Sequence, residues 1–114
     1  MEVNHKLMFT HVDCTPGEIT YNDFDIEPNK PLEDQLWSLK EDMLQISFFE
    51  SEFIIDIGWT NDFSIDGNFR LVVIEQMDWS NPIDKKETKS LNILEKYLKE
   101  AIVLVKLKLT DKAI

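Results

Sequence analysis

The stretch of residues 43–76 constrains the fold more than any other part of the chain. It holds three apolar runs, residues 43–49, 53–59 and 69–76, separated by the short polar break 50–52 and by the polar loop 60–68. Within the first two runs, β-branched and aromatic residues recur at every second position, as in Phe53, Ile55, Ile57 and Trp59. Period-two alternation between turn formers is typical of β-strands. The stretch therefore predicts three consecutive antiparallel strands.

The flanking segments predict a fourth strand and two helices. Ile19 and Tyr21 alternate, as do Phe24 and Ile26, and the offset at residues 22–23 predicts an edge strand with a bulge. Residues 32–40 carry leucines at helical spacing and predict a short helix after Pro31. Residues 1–14 predict an irregular start or a short edge strand.

The last predicted element is one long amphipathic helix over residues 88–109, preceded by a charged lead-in at 85–89. Its apolar stripe consists of Leu91, Leu94, Leu98, Ala101, Ile102 and Val105. Four further apolar residues widen this surface, so either the helix is buried on two sides or a partner covers it. The whole chain, residues 1–114, predicts one α+β domain: a small antiparallel sheet of about four strands packed against this helix.

Composition narrows the class of protein. A hydrophobic fraction of 43% argues against disorder, and no apolar run approaches the ~20 residues of a membrane span. The first residues lack the apolar core of a secretory signal, and the single Cys14 fits a reducing compartment. We expect a cytoplasmic protein.

The net charge of −10 is unevenly distributed. Residues 1–84 carry a formal charge of −14, whereas residues 85–114 carry +4. An acidic body repels phosphate backbones, so direct nucleic-acid binding is not expected, but it attracts a basic protein. The alternative is that the acidity serves solubility alone.

No residue constellation predicts catalysis or a cofactor. The loop at Asp62 has the oxygen spacing of a calcium loop, but its twelfth position is Val73 where calcium needs a glutamate. His11 and Cys14 have only His5 as a further histidine, too few ligands for zinc. Three glycines leave no phosphate-binding loop. We therefore expect neither an enzyme nor a bound metal.

Asp56 is the carboxylate that most needs an explanation, because it lies among apolar residues on the central strand. Either it points to solvent from an open sheet face, or it belongs to a recognition surface with Trp59 and the acidic loop beyond. Both interpretations are open at this stage.

Four short runs together resemble the immunity proteins of bacterial contact-dependent growth inhibition systems. The runs are LWSLKEDMLQ at 36–45, IDIGW at 55–59, GNF at 67–69 and DWSNP at 78–82, and the similarity extends over residues 21–98. Those proteins are small, acidic and cytosolic, and each binds the C-terminal toxin domain of one cognate cell-surface exoprotein.

The resemblance implies an inhibitor that blocks the active site or substrate channel of a basic, nuclease-type toxin domain. The wide apolar surface of the last helix permits a dimer, so we expect a monomer or a weak dimer. The candidate toxin-binding residues are Asp56, Trp59, Asp62, Asp66, Asp78 and Trp79. Core packing is the alternative role for the two tryptophans. The alternative function is a generic acidic interaction module or complex subunit.

Overall fold

The computed structural model describes residues 12–112, so the predictions for residues 1–11, including His5 and His11, lie outside it. The fold class is confirmed: a five-stranded antiparallel sheet packs against one long C-terminal helix. The elements in chain order are β1 (Glu18–Asn22), 3-10 turns at Leu32–Asp34 and Leu36–Ser38, β2 (Leu44–Phe48), β3 (Phe53–Trp59), β4 (Phe69–Glu75), β5 (Asp84–Thr88) and α1 (Leu91–Lys112). No helix in this part of the chain is long and apolar enough to cross a membrane.

The sheet is a simple meander in which each strand pairs with the next along the chain. Ile46 lies opposite Ile55, and Ile55 lies opposite Val73, so the alternating apolar residues of three strands line up on one face. Leu94, Leu98 and Val105 of α1 are buried in the same core cluster. The period-two pattern thus places one face of the sheet beneath the helix.

The structure has one strand more than the sequence predicted. The segment expected to be a charged lead-in is β5, which pairs with β4 so that Arg70 lies opposite Glu87 and Val72 opposite Lys85. The sequence of β5, DKKET, has no apolar residue that could mark a buried face. Charged side chains suit an edge strand because they discourage pairing with other chains.

The predicted helix over residues 32–40 was wrong, because two 3-10 turns form instead. They are separated at Gln35, whose φ of −142° is not helical. The buried side chain of Gln35 bonds the backbone nitrogen and oxygen of Glu27 and the carbonyl of Lys30. These contacts tie the segment to the preceding loop, which an uninterrupted helix would not allow.

The edge strand and the long helix also differ from the prediction in their bounds. The bulge lies between Ile19 and Tyr21 instead of at residues 22–23, and β1 ends at Asn22, so Phe24 and Ile26 lie beyond it; β1 is an edge strand as expected. The long helix begins at Leu91, because Thr88 still belongs to β5 and the Ser90 hydroxyl accepts a hydrogen bond from the Ile93 amide at 3.2 Å. A serine in that position is a common helix N-cap.

Candidate protein-binding site

The face of the sheet opposite α1 is the candidate site. Gln45 of β2, Asp56 of β3 and Arg70 of β4 lie on this face. Gln45 is directly opposite Asp56, and Arg70 is opposite Gly58, two residues after Asp56 on the same strand. The same face holds a small buried cluster of Ile54, Val72 and Ile74. The face is therefore partly apolar and partly ionic, unlike the wholly apolar face beneath the helix.

Asp56 lies at the centre of this face and is only 3% exposed. Its Oδ1 accepts a hydrogen bond from Gln45 Nε2 at 3.0 Å, and its Oδ2 pairs with Arg70 Nη2 at 3.1 Å. Burial raises the pKa of Asp56 above its ordinary value, although the bonds from Gln45 and Arg70 act in the opposite direction; the like charge of Asp42 adds to the rise. The carboxylate is thus a paired charge in a desolvated position.

A groove of about 620 Å³ runs over this ion pair. Its lining residues are Glu41, Asp42, Gln45, Asp56, Arg70, Val72, Ile74, Trp79, Ser80, Pro82 and Lys85. Trp79 is 44% exposed and comes from the β4–β5 loop, whereas Glu41 and Asp42 come from the segment that leads into β2. Within residues 12–112, neither of these two carboxylates is engaged in an ion pair. The groove thus combines an accessible indole with free negative charge.

Gly58 allows the two acidic residues to reach the groove. A Cβ at this position would collide with the backbone oxygen of Glu41. The Trp59 amide donates to the Lys40 carbonyl at 2.7 Å, and the Met43 amide donates to the Ile57 carbonyl at 3.0 Å. The segment therefore crosses directly over a residue without a side chain, which brings Glu41 and Asp42 beside Arg70.

The six predicted contact residues do not form one cluster. Asp56 and Trp79 line the groove, and Asp62 lines a neighbouring depression together with Glu41 and Arg70. Asp66 and Asp78 are exposed, but they belong to the loops at opposite ends of β4. The groove and the depression share residues and form one continuous surface.

Trp59 belongs to the core, which is the alternative that the sequence left open. It is fully buried, meets Phe69 edge to face at 4.9 Å between ring centroids, and donates its indole N–H to the Ser64 carbonyl at 2.8 Å. This contact helps to close the loop that carries Asp62 and Asp66. Trp59 does not line the groove, although it is among the residues that line the depression beside Asp62.

Sequence reasoning overlooked Gln45, Arg70, Glu41 and Asp42 as site residues. One signal was present: Arg70 is the only basic residue between Lys40 and Lys85, in the most acidic part of the chain. A lone cation in such surroundings indicates a specific carboxylate partner. Among residues 12–112, no three histidine, cysteine, aspartate or glutamate side chains are grouped to hold a metal ion.

Comparisons with protein-family models, with curated proteins and with solved structures found no match for this chain.

Proposed function

We propose that this chain is an immunity protein that binds and neutralises a cognate toxin domain in the cytoplasm. The toxin would be the C-terminal, nuclease-type domain of a contact-dependent growth inhibition exoprotein, as the sequence resemblance implies. The observation that carries the proposal is the groove, in which the half-exposed Trp79 and the free carboxylates of Glu41 and Asp42 flank a buried ion pair. The chain needs no catalytic activity for this role.

The charge distribution suits a basic partner. The strongly acidic body attracts a cationic surface and speeds the encounter, an effect that salt weakens. A nuclease surface is basic because it binds phosphates, so carboxylates at the groove can occupy the positions that phosphates would take. Occupation of that surface would block access of the nucleic acid to the toxin.

The groove also offers an anchor for affinity. Accessible tryptophans surrounded by polar residues are typical of the few side chains that dominate interface energies. Trp79 has such surroundings, since the charged Glu41, Asp42 and Lys85 line the same groove together with the apolar Val72 and Ile74. Charges at the rim mainly accelerate association, whereas the indole slows dissociation.

The test is to co-express the tagged chain with the protein encoded immediately upstream of its gene, and to measure complex formation and growth. We expect a stable complex and rescue of growth. Trp79→Ala is expected to weaken the complex at least tenfold, consistent with a hot-spot residue. Leu107→Ala, at a 60%-exposed apolar position of α1 on the other side of the sheet, is the matched control and should leave affinity unchanged.

Salt dependence provides a second readout. The paired substitution Glu41→Gln and Asp42→Asn should slow association and flatten its dependence on ionic strength. If the wild-type chain forms no complex and does not rescue growth, the immunity proposal is overturned. An acidic interaction module with a different partner would then be the better explanation.

A further inference from the structure

Trp37 is the most exposed of the large apolar side chains in the described part of the chain, at 80%. It lies in the second 3-10 turn and does not line the groove. Its ring packs against Phe63 of the β3–β4 loop, with 5.2 Å between centroids and a tilt of 54°. Phe63 is itself 44% exposed. The two rings form a surface aromatic pair.

The backbone holds Phe63 in this position against its own preference. Phe63 has a φ of 63° and Asn61 a φ of 62°, in the left-handed region that disfavours bulky side chains. The Phe63 amide donates to the Leu39 carbonyl at 2.7 Å, and the Ser64 amide donates to the Asn61 carbonyl at 3.1 Å. The first bond attaches the loop to the segment that carries Trp37, and the second closes a turn within the loop. The hydrogen bonds therefore hold the Phe63 backbone in an unfavourable conformation, in which its ring packs against Trp37 at the surface.

The charged residues next to the two rings in the sequence are predominantly acidic. Asp62 precedes Phe63, Asp34 lies three residues before Trp37, and Glu41 lies four residues after it; all three are exposed. Lys40 is occupied by Asp23 at 2.8 Å and by Asp25 at 3.3 Å. Lys89 Nζ donates to the Ile65 carbonyl of the same loop at 3.3 Å.

The aromatic pair adjoins the groove. Glu41 and Arg70 line the groove and also line the depression beside Asn61 and Asp62, and Phe63 is the next residue along the loop. A partner that covers the groove and the depression would therefore reach the loop that carries Phe63, on which Trp37 packs.

We infer that Trp37 and Phe63 form a second anchor for the same basic partner and receive an arginine side chain from it. Arginine fits this chemistry because its planar guanidinium can stack on an indole while it donates hydrogen bonds to carboxylates such as Asp62. This inference rests on the proposed function, since the partner is the toxin domain proposed above. The interface then has two aromatic contacts, one at each end of an acidic surface.

The experiment measures binding of the purified upstream-encoded domain to variants of the full chain by titration calorimetry. Trp37→Leu keeps apolar bulk but removes the aromatic face, whereas Trp37→Phe keeps an aromatic face. We expect Trp37→Leu to weaken binding at least tenfold and Trp37→Phe to weaken it no more than about threefold. Phe49→Leu, at a 67%-exposed aromatic position in the β2–β3 turn, is the matched control and should not change affinity.

Three outcomes would overturn the inference in distinguishable ways. Wild-type affinity for Trp37→Leu would mean that the pair is not an anchor, even though the toxin proposal survives. Equal losses for Trp37→Leu and Trp37→Phe would exclude an arginine stacked on the ring. Absence of any wild-type complex would overturn both the anchor and the proposed function.

Fluorescence quenching supplies a readout that does not depend on affinity. Trp59 is buried, so acrylamide reaches chiefly Trp37 and Trp79, and the difference between wild type and Trp37→Phe reports Trp37 alone. At saturating partner this difference should fall severalfold, because the guanidinium covers the indole. A difference that remains unchanged in the complex would show that Trp37 stays in solvent and would refute the anchor.

Discussion

Arg70→Met is the substitution that most directly tests the ionic centre of the open face. Arg70 is the only cation within ion-pairing distance of Asp56 in the described part of the chain, and its side chain is 19% exposed. Methionine keeps much of the apolar stem and removes the charge and the hydrogen bonds. The substitution leaves the nearly buried Asp56 carboxylate with Gln45 as its one hydrogen-bonding partner among residues 12–112.

The expected cost is about 3 kcal/mol at pH 7, at the lower end of the range for removing one partner of a buried ion pair because Arg70 is partly solvated. The additional bond from Arg70 to the Glu41 carbonyl is long, at 3.4 Å, and adds little. With a urea slope of about 1.5 kcal/mol per M, the unfolding midpoint should fall by about 2 M. That is a large part of the stability of a domain of this size.

The cost should depend on pH in a defined direction. The pKa of Asp56 in the folded state is already raised by burial, and loss of the arginine charge raises it further. The pKa of Asp56 is therefore higher in the folded than in the unfolded state, so the ionised carboxylate lowers the free energy of unfolding at high pH. Protonation removes this cost as the pH falls toward the ordinary value of 3.8. The difference between variant and wild type should therefore be smaller at pH 5 than at pH 7.

The assay is urea unfolding, followed by circular dichroism at pH 7 and pH 5. Two further variants test whether the lost stability comes from the unpaired charge of Asp56. Adding Asp56→Asn to Arg70→Met should restore more than half of the lost stability, since the unpaired charge is gone. Lys85→Met breaks an exposed pair with Glu87 at 3.6 Å and should cost at most about 1 kcal/mol. An Arg70→Met cost that is equal at both pH values, and that Asp56→Asn does not relieve, would refute the reasoning.

Three further predictions concern the residues that support the surface. Gly58→Ala should destabilise the fold by about 2 kcal/mol or more in urea unfolding, because the added Cβ meets the Glu41 backbone; a neutral effect would contradict the close crossing. Trp59→Phe should cost about 2 kcal/mol, through lost volume and the lost bond to Ser64, and should also broaden the amide signals of the 60–68 loop in NMR spectra. Burial alone would lower the pKa of Lys40, but its two aspartate partners raise it above the ordinary value of 10.5. Lys40→Met should therefore lower the free energy of unfolding by about 1 kcal/mol at neutral pH and by less above pH 10.5, where Lys40 begins to lose its charge. Thermal unfolding measured over a series of alkaline pH values checks this dependence.

The sheet could be predicted where apolar side chains recur at every second position. Phe53, Ile55 and Ile57 predict a strand because every second side chain of β3 is buried in the core beneath the helix. β5 could not be found in this way, because its residues alternate only among charged and polar types. Its strand conformation comes from hydrogen bonds to β4, and those depend on the tertiary arrangement.

The interrupted helix shows a similar limit of local patterns. Leucine spacing over residues 32–40 favours a helix, yet Gln35 forms its hydrogen bonds with Glu27 and Lys30 from the preceding loop. Side-chain contacts to a distant backbone segment leave no periodic signal. Helical propensity in so short a segment is worth too little to resist them.

The sequence by itself determined the α+β class, the three central strands and the acidic character of the body, because these depend on periodicity and on summed charge. It also marked Asp56 and the two tryptophans as residues that need an explanation. Only the tertiary structure decided that Trp59 is core and Trp79 is surface, that Arg70 neutralises Asp56, and that Trp37 meets Phe63. All of these outcomes depend on contacts between residues of different elements. Such contacts depend on strand register and loop closure, which short-range patterns in a sequence do not encode.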